Sequence, residues 1–205
     1  MPERVTSPNR RDEYAEMTRR DVVTAARKLF AEYGYEQTTV ESIAREARVS
    51  PATVYAQCGG KEGLLRTLMD MWTTSPTVGR IIGDAEEGRT GRDKLRILAD
   101  GYVAHAAEAG DIMRIVDRAA ASSPVAREFM DIADQRHTES LETITRGIED
   151  VGELADGLSV ADAAKIIYFH FRNPQFALAS ETFGWGVERA RQWLLQQVEF
   201  ALLKH

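Results

Sequence analysis

Apolar residues recur at spacings of three and four along nearly the whole chain, and the two-residue alternation of half-buried strands is absent. That periodicity predicts an all-α fold. Residues 1–11 read as an arm. The stripe Val22, Ala26, Leu29 and Tyr33, widened by Ala25 and Phe30, predicts a helix over about 12–33 that Gly34 ends in the left-handed region. A short helix over about 40–47 follows, with Val40, Ile43, Ala44 and Ala47 inward; its cap is Thr39, or Thr38 paired with Glu41. Ser50 as cap and Pro51 in the first helical position predict a third helix over 51–58. Gly59 and Gly60 then break the chain, and Lys61 opens a fourth helix with Leu64, Leu65, Leu68, Met69 and Trp72 in its core face. The proline and glycines between Thr73 and Arg92 predict a junction, dividing the chain into 1–72 and 73–205. Beyond it, helices are expected over about 93–109, 111–121, 124–150, 160–182 and 186–203.

Composition narrows the class. At 205 residues, 43% hydrophobic and 28% charged, the chain holds enough apolar material for one good core or two small ones. The single cysteine, Cys58, excludes an internal disulfide and leaves no Cys/His cluster with metal-ligand spacing, which fits a reducing cytoplasm. The first residues lack the apolar core of a signal peptide, and no apolar run approaches the roughly 20 residues needed to span a bilayer. The expectation is a protein neither exported nor inserted in a membrane. The net charge of −6 is unevenly placed: residues 1–70 hold 11 Lys/Arg and 11 Asp/Glu, so the acidity belongs to the remainder. A neutral N-terminal part with Arg4, Arg10, Arg11, Arg19 and Arg20 is compatible with DNA phosphates, although charge alone fits a solvated mixed surface equally well.

The informative stretch is Thr38 to Lys61, TTVESIAREARVSPATVYAQCGGK. Two short helices joined by a tight turn make a helix-turn-helix, whose second helix, 51–58, suits the major groove. The longer string AARKLFAEYGYEQTTVESIAREARVSPATVYAQCGGKEGLL resembles the DNA-binding domain of the tetracycline-repressor (TetR) family. The resemblance rests on aliphatic-Phe, Gly-aromatic, Thr-Thr, Ile-Ala, Val-Ser, Val-Tyr and Lys-Glu-x-Leu in register. It implies that Thr39, Tyr55 and Lys61 contact phosphate and that Thr53 and its neighbours Ser50, Pro51 and Ala52 face the bases. Lys61 also has a physical argument of its own: a cation in the first turn opposes the helix dipole, and a phosphate reverses that sign. Gln57 and Cys58 stand where the family commonly has histidine and phenylalanine. Gln57 retains the capacity to bond adenine or phosphate. Cys58 reads as a quiet core thiol in preference to a redox switch, since no basic residue stands immediately beside it.

Enzymatic constellations are missing from the sequence. His105, His137, His170 and His205 are scattered and read as ordinary core or surface histidines, with no metal site implied. There is no phosphate loop, dinucleotide fingerprint or nucleophile elbow, so no cofactor is expected. Glu149, Asp150 and Glu153 read as solvated helix faces. In the second half, Tyr102, Met113, Phe129, Phe169 and Phe176 are candidates for an effector cavity, each with simple core packing as the alternative. Asn173-Pro174 is expected to kink its helix. The last two helices carry more apolar surface than one inward face needs, which predicts a homodimer.

These readings combine into an all-α protein with a three-helix helix-turn-helix DNA-binding domain followed by a helical-bundle ligand-binding and dimerisation domain. Its expected partners are double-stranded DNA with a palindromic operator, a second copy and a small apolar effector that releases it; repression is the expected mode, with activation as the alternative. A helical ligand-binding or scaffold protein that has lost DNA binding is the alternative.

Overall fold

The structure is a computed structural model that describes residues 10–204. Their regular structure is helical: α1 (Arg10–Tyr33), α2 (Val40–Glu46), α3 (Pro51–Cys58), α4 (Gly60–Thr73), α5 (Pro76–Glu87), α6 (Gly91–Ala120), α7 (Pro124–Asp150), α8 (Val160–Phe171), α9 (Asn173–Ala177), a π-helical turn (Leu178–Thr182) and α10 (Gly186–Leu202). The all-α expectation holds. The described residues form two compact units, one running to Met71 and including Arg114–Phe129, the other Trp72–Met113 with Met130 onward. The first unit is therefore discontinuous in sequence, because the end of α6 and the start of α7 join it.

Local chemistry sets the helix-turn-helix. Gly34, at φ +84°, donates its N–H to Phe30 O at 3.0 Å and closes α1 as expected. Thr39 caps α2: its Oγ1 accepts from Ser42 N at 3.1 Å, while Thr39 N donates to Ser42 Oγ at 3.1 Å. The reciprocal partner is thus Ser42 and not Glu41. Thr38 is buried, donating its hydroxyl to Gly34 O at 2.8 Å, and does not cap. Arg48 takes φ 58° in the turn between α2 and α3, a conformation that side chains with a Cβ rarely adopt. Ser50 Oγ accepts from Thr53 N at 3.1 Å with Pro51 behind it, so α3 starts and stops where the sequence predicts. Val22, Ala26, Phe30, Ile43, Val54, Leu64 and Leu68 are all buried, giving these short helices the core they need to persist.

The second unit departs from expectation in three places. The glycine-rich junction is a helix, α5. Ser75 accepts from Thr77 N at 3.2 Å to start it, and buried Lys94 donates to Ala85 O and Glu86 O at 3.3 and 2.7 Å to finish it. The Gly88 N–H also reaches Ala85 O at 3.3 Å, so the lysine adds donors where the helix's own ladder runs out, and a cation suits that end of a helix. Second, α6 runs unbroken through Gly110, which is buried; packing outweighs the roughly 1 kcal/mol that glycine costs inside a helix. Its first residue, Gly91, donates to Glu153 Oε2 at 2.7 Å, so Glu153 is a cap and not a solvated face. Third, the expected 160–182 helix is interrupted at Arg172, whose backbone is extended at ψ 150°. Pro174 cannot extend α8 because its ring would clash with the carbonyl four residues back, so it starts α9 instead. The core of this unit gathers Leu95, Leu98, Leu141, Ile144, Ile148, Ile167 and Val198.

Candidate nucleic-acid interface and ligand cavity

The recognition helix α3 buries Val54 and Cys58 and exposes Pro51, Ala52, Tyr55 and Ala56. Burial pushes the Cys58 thiol up, away from the reactive thiolate. Thr53 is half-buried, with its hydroxyl 2.9 Å from Ser50 Oγ, so it flanks the exposed face and does not lie at its centre. That centre belongs to Ala52, Tyr55 and Ala56. Ala56 is missing from the sequence-based site; its signal was present in the spacing of four from Ala52. Tyr55 is 59% exposed, and its ring lies over Gly60, where an added Cβ would sit 2.8 Å from Tyr55 Cε1. Thr39 is exposed at the start of α2, and Gln57 is half-buried. Lys61, half-buried, holds its ammonium 4.4 Å from the Tyr35 ring centroid and 3.4 Å from Glu36 O. Those contacts offset its unfavourable place in the first turn of α4 and leave its charge beside the recognition helix.

The second unit holds a partly open cavity of about 190 Å³. Tyr102, Met113 and Phe176 line it as expected. Two other candidates do not. Phe129 belongs to the first unit, where its ring carries the Arg66 guanidinium at 4.9 Å, and Phe169 is 59% exposed. On a helix apolar nearly all round, the sequence does not say which aromatic faces inward. Unforeseen members of the wall are Trp72, His105 and His137. Six wall residues, Leu98, Ala99, Tyr102, His105, Ala106 and Met113, come from α6.

Three polar side chains of this wall, Tyr102, His105 and His137, are held uncharged. Tyr102 hydroxyl and His137 Nε2 form a hydrogen bond, with Tyr168 and Phe171 rings packed around them. Burial raises the Tyr102 phenol and lowers His137 to about 4, against the weaker opposing pull of Asp134. His105 is likewise lowered by burial, which outweighs the attraction of Glu108.

A pH dependence follows. Between about pH 4 and the ordinary imidazole value near 6.5, the unfolded state binds a proton at His137 that the folded state does not. Stability therefore rises with pH through that window and is lost as pH falls through it, by at most about 3 kcal/mol. The difference between wild type and His137→Gln in urea midpoint should change with pH below 6.5 and become constant above pH 7. Parallel curves at all pH values would contradict the burial of a neutral imidazole.

An all-α chain with this N-terminal helix-turn-helix and a hollow helical second unit belongs to the class of two-part, helix-turn-helix proteins. Residues 22–68 match the family described as bacterial regulatory proteins, tetR family. A 50-residue segment, 24% of the chain, is 46% identical to the HTH-type transcriptional regulator HbdR of Aromatoleum sp. (strain CIB), of which it spans 22%. Two solved structures share the fold. The transcriptional regulator FadR from Bacillus subtilis in complex with stearoyl-CoA superposes with TM-score 0.74 at 20% identity, covering 88% of this chain and 97% of that one. The SmeT–triclosan complex gives 0.73 at 20% identity, covering 92% of each. The similarity to the tetR family thus rests on the helix-turn-helix segment, and over the rest of the chain the solved structures share the fold. No described helix is long and apolar enough to cross a membrane.

Proposed function

We propose that the protein is a cytoplasmic transcriptional repressor that binds a pseudo-palindromic operator as a homodimer and is released by a small, mainly apolar effector held in the second unit. The observation that carries this reading is the capped helix-turn-helix itself, with Tyr55 exposed on α3 and the Lys61 charge next to it. Lys61, Tyr55 and Thr39 engage phosphates. Ser50, Pro51, Ala52, Thr53, Ala56 and Gln57 meet base edges, the alanines and proline through thymine methyls and groove shape more than through hydrogen bonds. Tyr102, Met113 and Phe176 contact the effector. The bound ligands named for the two solved relatives, stearoyl-CoA and triclosan, support an apolar occupant. α6 offers the coupling element, since one helix supplies cavity wall up to Met113 and continues into the first unit. Ligand occupancy then favours a dimer whose recognition helices no longer match a groove repeat of about 34–36 Å.

The test is binding to enriched operator and to random DNA as a function of salt. Lys61→Ala should weaken both by similar factors and lower the salt slope by about one unit, because one phosphate contact is lost. Thr53→Ala should relax preference at one or two base pairs per half-site, costing about 1–3 kcal/mol there and little on random DNA. If the wild-type protein binds neither DNA at low salt, the repressor reading fails and a ligand-binding scaffold takes its place.

A further inference from the structure

The geometry points to a compact, uncharged aromatic effector with one hydrogen-bond acceptor, which the Trp72 indole N–H receives beside His105. This inference rests on the ligand-binding reading above and names the class of molecule that the same cavity takes.

Three observations carry it. The first is size: an apolar cavity of about 150 Å³ holds benzene, so 190 Å³ matches a single ring with a short substituent, while a long acyl chain would exceed it. The second is unmet polarity. Trp72 Nε1 and both ring nitrogens of His105 are buried with no hydrogen-bond partner among the described residues, and His105 is only 9% exposed. Both residues line the cavity, their rings nearly parallel at 14° with centroids 6.4 Å apart. Buried donors and acceptors are almost always satisfied, so an occupant that pairs with them recovers a cost the empty wall carries. The third is charge. The wall's imidazoles are neutral by burial, Arg172 lies 3.9 Å from Asp134, and Arg191 is 2.9 Å from Asp100. Arg136 also lines the cavity but is solvent-exposed, so its charge stays hydrated. A carboxylate entering the cavity would give up its water without a buried, unpaired cation to meet it, and such a transfer is strongly disfavoured.

The proposal is tested by calorimetry on the full chain with three nearly isosteric probes: isopropylbenzene, acetophenone and benzoate. Wild type should bind the two neutral probes and give no heat with benzoate at pH 7.5. Trp72→Phe should weaken acetophenone about 3–10-fold, the worth of one neutral hydrogen bond, and leave isopropylbenzene within twofold. Because isopropylbenzene reports an intact cavity, its retention separates a lost hydrogen bond from a collapsed site. Equal losses for both neutral probes, or benzoate binding as tightly as acetophenone, overturn the proposal while leaving an apolar effector site in place. If neither neutral probe binds wild type, the cavity is not an effector site and the inference falls with the reading beneath it.

Discussion

Replacing Gly63 by alanine is expected to lower the melting temperature by about 2–12 °C and to reduce operator affinity at least tenfold. An alanine Cβ there would stand 1.8 Å from the carbonyl oxygen of Cys58 and 2.8 Å from its carbonyl carbon. Both are backbone atoms at the C-terminus of α3, so no rotamer change relieves the clash. The recognition helix and α4 must separate. Overpacking of this kind typically costs about 1–3 kcal/mol, and in a chain of this length each kcal/mol moves the melting temperature by about 2–4 °C. The displacement falls on the element that presents Tyr55 and leads into Lys61, which is why DNA binding suffers beyond the loss of stability. Gly79 and Gly83 provide the control. Both lie within α5 and have nothing within 4 Å of an added Cβ. Gly79→Ala and Gly83→Ala should instead stabilise by about 0.5–1 kcal/mol each, by removing freedom from the unfolded chain. Thermal and urea unfolding of the three variants, with fluorescence anisotropy on operator DNA, reads out both effects. An unchanged melting temperature for Gly63→Ala would falsify the close approach of the two helices.

The contrast between these glycines marks what sequence reasoning reaches. In the helix-turn-helix the deciding interactions are local: Ser50 bonds Thr53 three residues away, Gly34 bonds Phe30, and proline stands in the first turn of α3. Those elements were legible almost to the residue. In α5 the glycines argued for a loop, and the lysine that satisfies its last carbonyls comes from α6. No spacing rule announces such a partner. The same holds for α6, where burial of Gly110 joins two expected helices.

The two sites divide in the same way. Tyr55, Lys61 and Thr39 lie on or beside one short motif, so their grouping was visible, although half-burial of Thr53 and exposure of Ala56 follow from how α3 rolls onto its neighbours. The cavity draws on seven helices, α4 to α10, and its polar members were read as ordinary histidines and a core tryptophan. Helical periodicity identifies an apolar face without saying whether that face meets a neighbour, a cavity or a partner chain. Phe169 shows the consequence: assigned to a cavity, it faces solvent.

That exposure bears on the second large effect, dissociation of the proposed dimer by Trp193→Asp with Phe200→Asp. On α10, Ala190, Leu194, Val198 and Leu202 are buried, as one inward face requires. The remaining apolar residues point elsewhere: Phe200 is 73% exposed, Val187 51% and Trp193 41%, and Phe169 on α8 joins them. Two helices carrying this much exposed aromatic surface suit a two-fold contact, in which each residue is used twice. Burying one such side chain contributes about 1.5–3 kcal/mol, so the double variant removes the burial of four per dimer and adds four like charges at its centre. Association should weaken by more than a thousandfold, giving monomers by light scattering at micromolar protein. Trp193 also packs against Trp185, centroids 5.4 Å apart, so its loss disturbs the chain's own packing. Phe200→Asp alone, at the more exposed position, should give the same direction with helical circular dichroism retained. Operator affinity should fall with the dimer, because each half-site then binds independently. A folded dimer persisting in the double variant would place the interface on other helices.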